Sequence, residues 1–217
     1  MSPSVVRLWQ LISPTLPVGA YSYSQALEYV IHRRLVVDEA GVREWIDDLL
    51  RHGLARLDLP ILLRVHSAWS SHDAAGVRRW SRELEARRET AELRFEDLAM
   101  GGALTQLLVS LDEPVPERQL PFAAAFAVAA VDWGIAADDA CAGYSWAWCE
   151  AQVAAAVKLV PLGHTAGQRI LREVGAGIAA AVAAAAKLDD DDIGLGLPGL
   201  AIASALHETQ YTRLFRS

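Results

Sequence analysis

Apolar residues recur at steps of three and four along most of the chain, which is the period of an α-helix with one buried face. The first long example follows Asp38, a residue type favoured at helix N-caps. Charged residues such as Asp47, Asp48 and Arg51 fall on the opposite face. The pattern predicts a helix whose inward residues are Val42, Trp45, Ile46, Leu49, Leu50, Leu54 and Leu57.

The helical pattern then restarts three times before residue 111. Asp58 with Pro60, Asp73 and Thr90 stand where these helices begin, because short polar residues cap helix starts and proline suits the first turn. Their inward residues are Ile61, Leu62, Val65 and Trp69, then Val77, Trp80 and Leu84, then Leu93, Met100, Leu104, Leu107 and Leu108.

The proline-containing stretch DEPVPERQLP (112–121) predicts a loop, because proline breaks a helix. Further helices are expected at about 121–133, 138–158, 166–187 and 199–208. No stretch shows the alternation of apolar and polar residues that is typical of a strand. We therefore predict an all-α protein with a single compact domain of roughly eight to ten helices over residues 1–217.

Composition and charge exclude several classes of function. The formal net charge of the 217 residues is -7, which argues against nucleic-acid binding, since that rests on a basic surface. No signal peptide is visible, and the alanine-rich runs 121–131 and 174–186 are shorter than the roughly 20 residues that a membrane span needs. Cys141 and Cys149 lie about 12 Å apart on a helix, too far for a disulfide. We expect a cytoplasmic protein without a membrane partner.

Three short motifs suggest chemistry but lack its context. Gly194, Gly196 and Gly199 match the spacing of a dinucleotide-binding loop, yet four aspartates precede them instead of a strand. In GAGIAA (175–180), we interpret the glycines as allowing close packing inside a helix. Ser145 in GYSWA lies in a helical pattern rather than at the strand-to-helix turn of a hydrolase. We expect no catalysis and no cofactor.

The metal-binding residue types are scattered. The six histidines never form a pair four residues apart, and HETQ (207–210) lacks the second histidine of a zinc protease motif. The run Asp189–Asp192 is interpreted as a solvated acidic loop. We expect no metal site of the chain's own.

The opening stretch SPTLPVGAYSYSQALE (13–28) differs from a core helix in two ways. It contains several polar residues, and its prolines restrict the backbone conformation. Gly19 suits a positive φ, and Ser22 or Ser24 is placed to cap a helix that starts near Gln25. We expect an ordered lead-in over residues 1–23. Tyr21 and Tyr23 are expected to pack or to face a partner, and Leu27, Val30 and Ile31 to point inward.

Two later stretches are similarly unusual: KLVPLGHTAGQR (158–169) and HETQYTRLFRS (207–217). The second, called the C-terminal segment below, carries Tyr211, Leu214 and Phe215 beside Arg213 and Arg216. Tyrosine and arginine are favoured at the centres of interfaces. On these grounds alone, the C-terminal segment is as well explained by docking on its own domain as by docking on a partner.

These three stretches, in this order, resemble the UreF family of urease accessory proteins, and RRETAELRFEDLAMGGAL (87–104) supports the resemblance between them. The likeness spans nearly the whole chain. The chain departs from the family pattern at two residues: Ala26 replaces a frequent glycine, and His164 replaces a frequent glutamine. A generic helical adaptor unrelated to urease would explain the helical pattern, but not these coincident stretches.

The resemblance implies a non-catalytic protein that joins UreD (also called UreH) and the GTPase UreG in a complex that loads nickel into apo-urease. It also implies a homodimer within that complex. It assigns Tyr211, Arg213, Leu214, Phe215 and Arg216 to contacts with UreD, and Lys158, Gln168 and Arg169 to the GTPase side or the dimer interface. At the opening stretch, we expect structural prolines, and binding by at least one of Tyr21, Tyr23 and Glu28.

Overall fold

The computed structural model describes residues 2–194 and 196–217, and every regular element within them is helical. Within these described residues, ten α-helices have nine residues or more, and α2 has six. The bounds are α1 Pro3–Leu11, α2 Leu27–His32, α3 Glu39–Asp48, α4 Asp58–Ser70, α5 Ala74–Arg87, α6 Ala91–Ser110, α7 Phe122–Asp132, α8 Ala137–Leu159, α9 His164–Gly175, α10 Ile178–Ala186 and α11 Pro198–His207. The predicted all-α fold with a single compact domain is confirmed.

Side chains cap three helices as predicted. Asp38 accepts a hydrogen bond from the Gly41 N–H at 2.9 Å, and Asp73 accepts one from the Gly76 N–H at 2.9 Å. The Thr90 hydroxyl accepts one from the Leu93 N–H. Each bond satisfies a backbone donor of the first turn, which has no partner inside the helix.

Helix α7 lies at the centre of the domain. All eight residues from Ala123 to Ala130 are buried, and α7 packs against α4, α6 and α8. Alanine at six of these eight positions lets the neighbouring backbones approach closely. The long helix α8 contacts α9 and α10 as well, so it joins the core to the second half of the chain.

The predicted continuous helix over 166–187 was wrong, since the chain breaks between α9 and α10 at residues 176–177. Glycine has low helix propensity, and Gly175 also receives the Trp146 ring, which would lie 3.2 Å from an added Cβ. GAGIAA therefore begins at a helix junction, not inside a helix.

Two further elements differ from the sequence prediction. The helix after Asp38 widens into a π-helical turn at Leu49–Gly53 and then a 3₁₀ turn at Leu54–Arg56. Helix α1 was not predicted, and it exposes Trp9.

Both cysteines are buried, and neither forms a disulfide. Leu195, inside the glycine-rich stretch 194–199, lies outside the described residues.

Across the described part of the chain, no helix combines the length and the apolar character needed to cross a membrane.

Candidate docking surface at the C-terminal segment

The opening stretch forms a turn that leads into α2. Gly19 has φ +76°, as predicted, and Gln25 and Ala26 also have positive φ values of 49° and 64°. Helix α2 consequently begins at Leu27 rather than at Gln25. A left-handed backbone is most easily adopted by glycine, so the positive φ of Ala26 is an unfavourable conformation for an alanine.

Glu28 holds the C-terminal segment by its backbone. This carboxylate is 7% exposed and accepts hydrogen bonds from the N–H groups of Leu214 at 2.7 Å and Phe215 at 2.9 Å. The Ser24 hydroxyl accepts a hydrogen bond from the Glu28 N–H. Hydrogen bonds to a charged group are stronger than those between neutral groups. Glu28 therefore fixes the position of the C-terminal segment relative to α2.

Glu92, in the first turn of α6, holds the segment at a second place. His207, at the end of α11, is fully buried and lies between two carboxylates, with Nδ1 2.8 Å from Glu92 and Nε2 3.4 Å from Glu28. The Arg213 guanidinium donates to the other oxygen of Glu92. The first half of the segment is thus tied to both α2 and α6.

Glu96 holds the segment at a third place, one helical turn along α6. Its carboxylate accepts hydrogen bonds from the Ser217 hydroxyl and from the Gln25 side-chain amide. The Ser217 backbone oxygen in turn accepts from the Ser24 hydroxyl at 2.6 Å and from the Ser24 N–H at 2.8 Å. Burial raises the pKa of Glu96 to about 7, although the Ser217 and Gln25 hydrogen bonds lower it.

A buried ion cluster lies behind Glu96. The Arg88 guanidinium donates two hydrogen bonds to Asp58 and one, at 2.9 Å, to Asp97. The Tyr144 hydroxyl donates to Asp58 at 3.0 Å, and the Phe122 N–H donates to Asp97 at 2.8 Å. Burial raises the pKa of Asp97 despite the Arg88 charge. Arg88 thus joins α4 to α6, and Tyr144 joins α8 to α4.

The side chains of the C-terminal segment divide between core and solvent. Phe215 is buried, with the Lys158 ammonium 5.6 Å from its ring centroid. Tyr211 is fully exposed and Leu214 is 66% exposed, while Arg213 and Arg216 also reach the surface. The segment is docked on its own domain and still presents two large side chains outward.

The other predicted binding residues do not all meet this segment. Tyr23 is buried in the core, and Tyr21 is 75% exposed. Gln168 and Arg169 lie exposed on α9, where Arg169 forms a bidentate ion pair with Glu39 of α3 at 2.7 and 2.8 Å. The structure brings Glu28 and Lys158 together with the segment, whereas Gln168 and Arg169 make no hydrogen bond to it.

A cavity of about 280 Å³ lies next to Glu96. Tyr21, Tyr23, Gln25, Gln152 and Lys158 are among the residues that line it. No cluster of three or more potential metal-ligating side chains occurs in residues 2–194 and 196–217. Ser145 lies inside α8 and donates to the Cys141 carbonyl oxygen, which is a helical contact and not a nucleophile elbow.

Sequence reasoning missed Glu92, Glu96, His207 and Ser217 as contacts of the segment. A signal for Glu96 was present, because Leu93, Glu96, Asp97 and Met100 follow the helical period of the buried face of α6. Acidic residues at inward positions need partners, since an unpaired buried charge is costly. That requirement could have identified Glu96 and Asp97 as acceptors of buried hydrogen bonds.

Comparison with known proteins identifies the family of the chain. The UreF family model matches residues 36–175. A urease accessory protein UreF from Alkalilimnicola ehrlichii is 51% identical, covering 97% of this chain and 95% of that protein. Proteins of the same name from Chromohalobacter salexigens and Teredinibacter turnerae are 47% and 44% identical; they cover 99% and 100% of this chain, and 95% and 100% of their own lengths are covered. The chain therefore belongs to the UreF family of urease accessory proteins.

Proposed function

We propose that this chain is a non-catalytic scaffold in the cytoplasm that helps to load nickel into apo-urease. In this proposal it binds UreD (UreH) and the GTPase UreG and brings them to apo-urease as one complex. The proposal depends on one observation about the C-terminal segment. Its backbone is held by Glu28, while the side chains of Tyr211 and Leu214 remain exposed. Family membership supports the link to urease.

The structure supports docking by specific side chains of the segment. Large side chains that are held in place before binding lose little conformational entropy when a partner covers them. The backbone of Leu214 meets this condition because its N–H donates to Glu28. Tyr211 lies between His207 and Arg213, which both contact Glu92. Phe215 has a different role, since it is buried in the core of this chain. We assign Tyr211 and Leu214 to the UreD contact, with Arg213 and Arg216 beside them.

The contact with the GTPase, or with a second copy of the chain, is assigned to another surface. Gln168 and Arg169 are exposed on α9, and Lys158 lies near the end of α8. For a scaffold to couple the nucleotide state to metal release, its contacts must differ between the two states of the GTPase. Exposed polar side chains on α9 suit contacts that form and break.

The test of the UreD contact is co-purification of the chain with the UreD and UreG proteins of its own organism. Tyr211→Ala combined with Leu214→Ala should leave the helical circular dichroism spectrum and the melting temperature nearly unchanged. Loss of such anchors costs about 2 kcal/mol or more, which corresponds to about thirtyfold weaker binding. Isothermal titration with UreD would measure this loss directly.

A matched control removes similar exposed area elsewhere. Trp9 is 55% exposed on α1 and Leu111 is 45% exposed after α6. Trp9→Ala combined with Leu111→Ala should bind UreD as the wild type does. Wild-type affinity of the Tyr211 and Leu214 variant, or an equal loss in the control variant, would show that the segment is not the UreD contact.

A further inference from the structure

The buried acidic groups around Glu96 outnumber the basic groups that face them. Arg88 pairs with Asp58 and Asp97, whose side chains are 6% and 5% exposed. Glu96 is 5% exposed and receives its hydrogen bonds from the neutral groups of Gln25 and Ser217. An ionised carboxylate in such a place lacks a neutralising partner. Within the described residues, Glu96 is therefore the member of this acidic group that forms no ion pair, and a proton would remove its buried charge.

The groups that act on Glu96 come from several elements. Asp97 on α6 disfavours its charge and Arg88, at the end of α5, favours it. Tyr144 on α8 contacts the cluster through Asp58, and Lys158, also on α8, lines the adjacent cavity. Burial of the Glu96 carboxylate raises its pKa by more than any of these neighbouring groups changes it.

The C-terminal segment itself supplies part of this burial. Ser217 covers the Glu96 carboxylate and is anchored by two hydrogen bonds to Ser24, and the Arg216 N–H donates to the Ser22 carbonyl oxygen at 2.9 Å. If the segment lifts, Glu96 gains water as a hydrogen-bonding partner and its ionised form becomes much less costly. Seating also supplies the Ser217 hydrogen bond, which lowers the pKa of Glu96, but burial raises that pKa by more. Seating of the segment and ionisation of Glu96 therefore oppose each other.

We propose that the C-terminal segment is a pH-dependent latch, seated on the domain while Glu96 holds a proton and released more often once Glu96 is ionised. The latch is a property of the isolated chain. It is tested without UreD or UreG, so it stands or falls independently of the proposed function.

The direction of the effect follows from the two states of Glu96. In the seated state its pKa is about 7, against 4.5 for an exposed glutamate. A raised pKa stabilises the seated state fully below pH 4.5, and this stabilisation is lost as the pH rises through 7. With these two values, the equilibrium constant for opening increases about tenfold between pH 6 and pH 8.

Amide hydrogen exchange on the ¹⁵N-labelled full chain measures this opening. The reporters are the N–H groups of Leu214, Phe215 and Arg216, which are bonded to Glu28 and to the Ser22 carbonyl oxygen. After correction for intrinsic exchange rates, their protection factors should fall about tenfold from pH 6 to pH 8, as the opening equilibrium requires. Core amides of α7 should lose much less protection.

Glu96→Gln is the central variant, because it keeps the shape and an acceptor oxygen for Ser217 but removes the titrating group. Its segment amides should be equally protected at pH 6 and pH 8. Glu89→Gln changes an exposed glutamate just before α6 and should keep the wild-type pH dependence. Pairing these two variants separates the burial of the carboxyl group from the mere loss of one negative charge.

Several results would overturn the latch. Wild-type segment protection that is constant from pH 6 to pH 8 would do so, as would an equal loss in α7, which would indicate global unfolding. If Glu96→Gln kept the pH dependence, Glu96 would not be the controlling group and the latch would be refuted. Should this variant fail to fold, ¹³C titration of the wild-type Glu96 carboxyl decides, and an apparent pKa below 5 would refute the latch.

Discussion

Arg88→Met should destabilise the protein strongly, because Arg88 is the only basic side chain bonded to the buried Asp58 and Asp97 in the described residues. Methionine fills a similar volume without charge or donors. The variant would leave two buried carboxylates facing each other across an apolar side chain. One arginine thus determines whether α4 and α6 remain joined at this point.

The magnitude follows from what each carboxylate keeps. Breaking a buried pair by removing one partner typically costs about 3–5 kcal/mol. Asp58 retains the Tyr144 hydroxyl and Asp97 retains the Phe122 N–H, so neither is left without a donor. We therefore expect the lower end of the range, about 3 kcal/mol at pH 8. A domain of ordinary stability would still fold with this loss.

Urea unfolding of both proteins at pH 8 and pH 6, followed by circular dichroism, measures the difference in free energy of unfolding. Burial already raises the pKa of Asp97, and loss of the Arg88 charge raises it further. Folding of the variant then takes up protons, so its deficit should shrink as the pH falls. Arg82→Met, at an exposed position of α5, should change stability by less than about 0.5 kcal/mol. A loss below about 1 kcal/mol for Arg88→Met, or an equal loss at both pH values, would refute this account of the cluster.

Three shorter predictions concern packing and reactivity. Gly101→Ala would place a methyl group 2.0 Å from a carbonyl oxygen of the loop before α7, and calorimetry should show a net loss of about 2 kcal/mol or more. Gly199→Ala lies in α11 with open space around it and should gain up to about 1 kcal/mol from helix propensity, measured in the same way. Burial raises the pKa of Cys141 and Cys149 to about 12, so an aromatic disulfide reagent at pH 8 should modify both thiols only after unfolding, and rapid modification of the native protein would contradict this.

Helices and caps could be predicted from the sequence because both depend on local patterns. The period of three and four residues identifies buried faces, and Asp38, Asp73 and Thr90 act on donors only three residues away. The break between α9 and α10 coincides instead with a contact from another helix, since the Trp146 ring of α8 packs on Gly175. Local propensity alone does not reveal such a contact.

The partners of Glu28 could not be predicted for a related reason. Its bonds to Leu214 and Phe215 join residues more than 180 positions apart. Both stretches, 13–28 and the C-terminal segment, are unusual in sequence. Nothing in the sequence indicates that they contact each other. Acidic residues on the inward face of α6 did indicate that buried hydrogen-bond donors must lie nearby. They did not indicate which residues supply those donors.

Docking of the C-terminal segment on its own domain and docking on a partner are compatible, although the sequence presented them as alternatives. Leu214 and Phe215 are adjacent, and both donate their N–H groups to one Glu28 carboxylate. Their side chains nevertheless lie on opposite sides, with Phe215 in the core and Leu214 exposed. The contact that secures Phe215 inside therefore also sets the direction of Leu214 outside. A partner that binds Leu214 and Tyr211 would meet a surface already ordered by Glu28, and substitutions of Glu28 would weaken that binding without touching the partner.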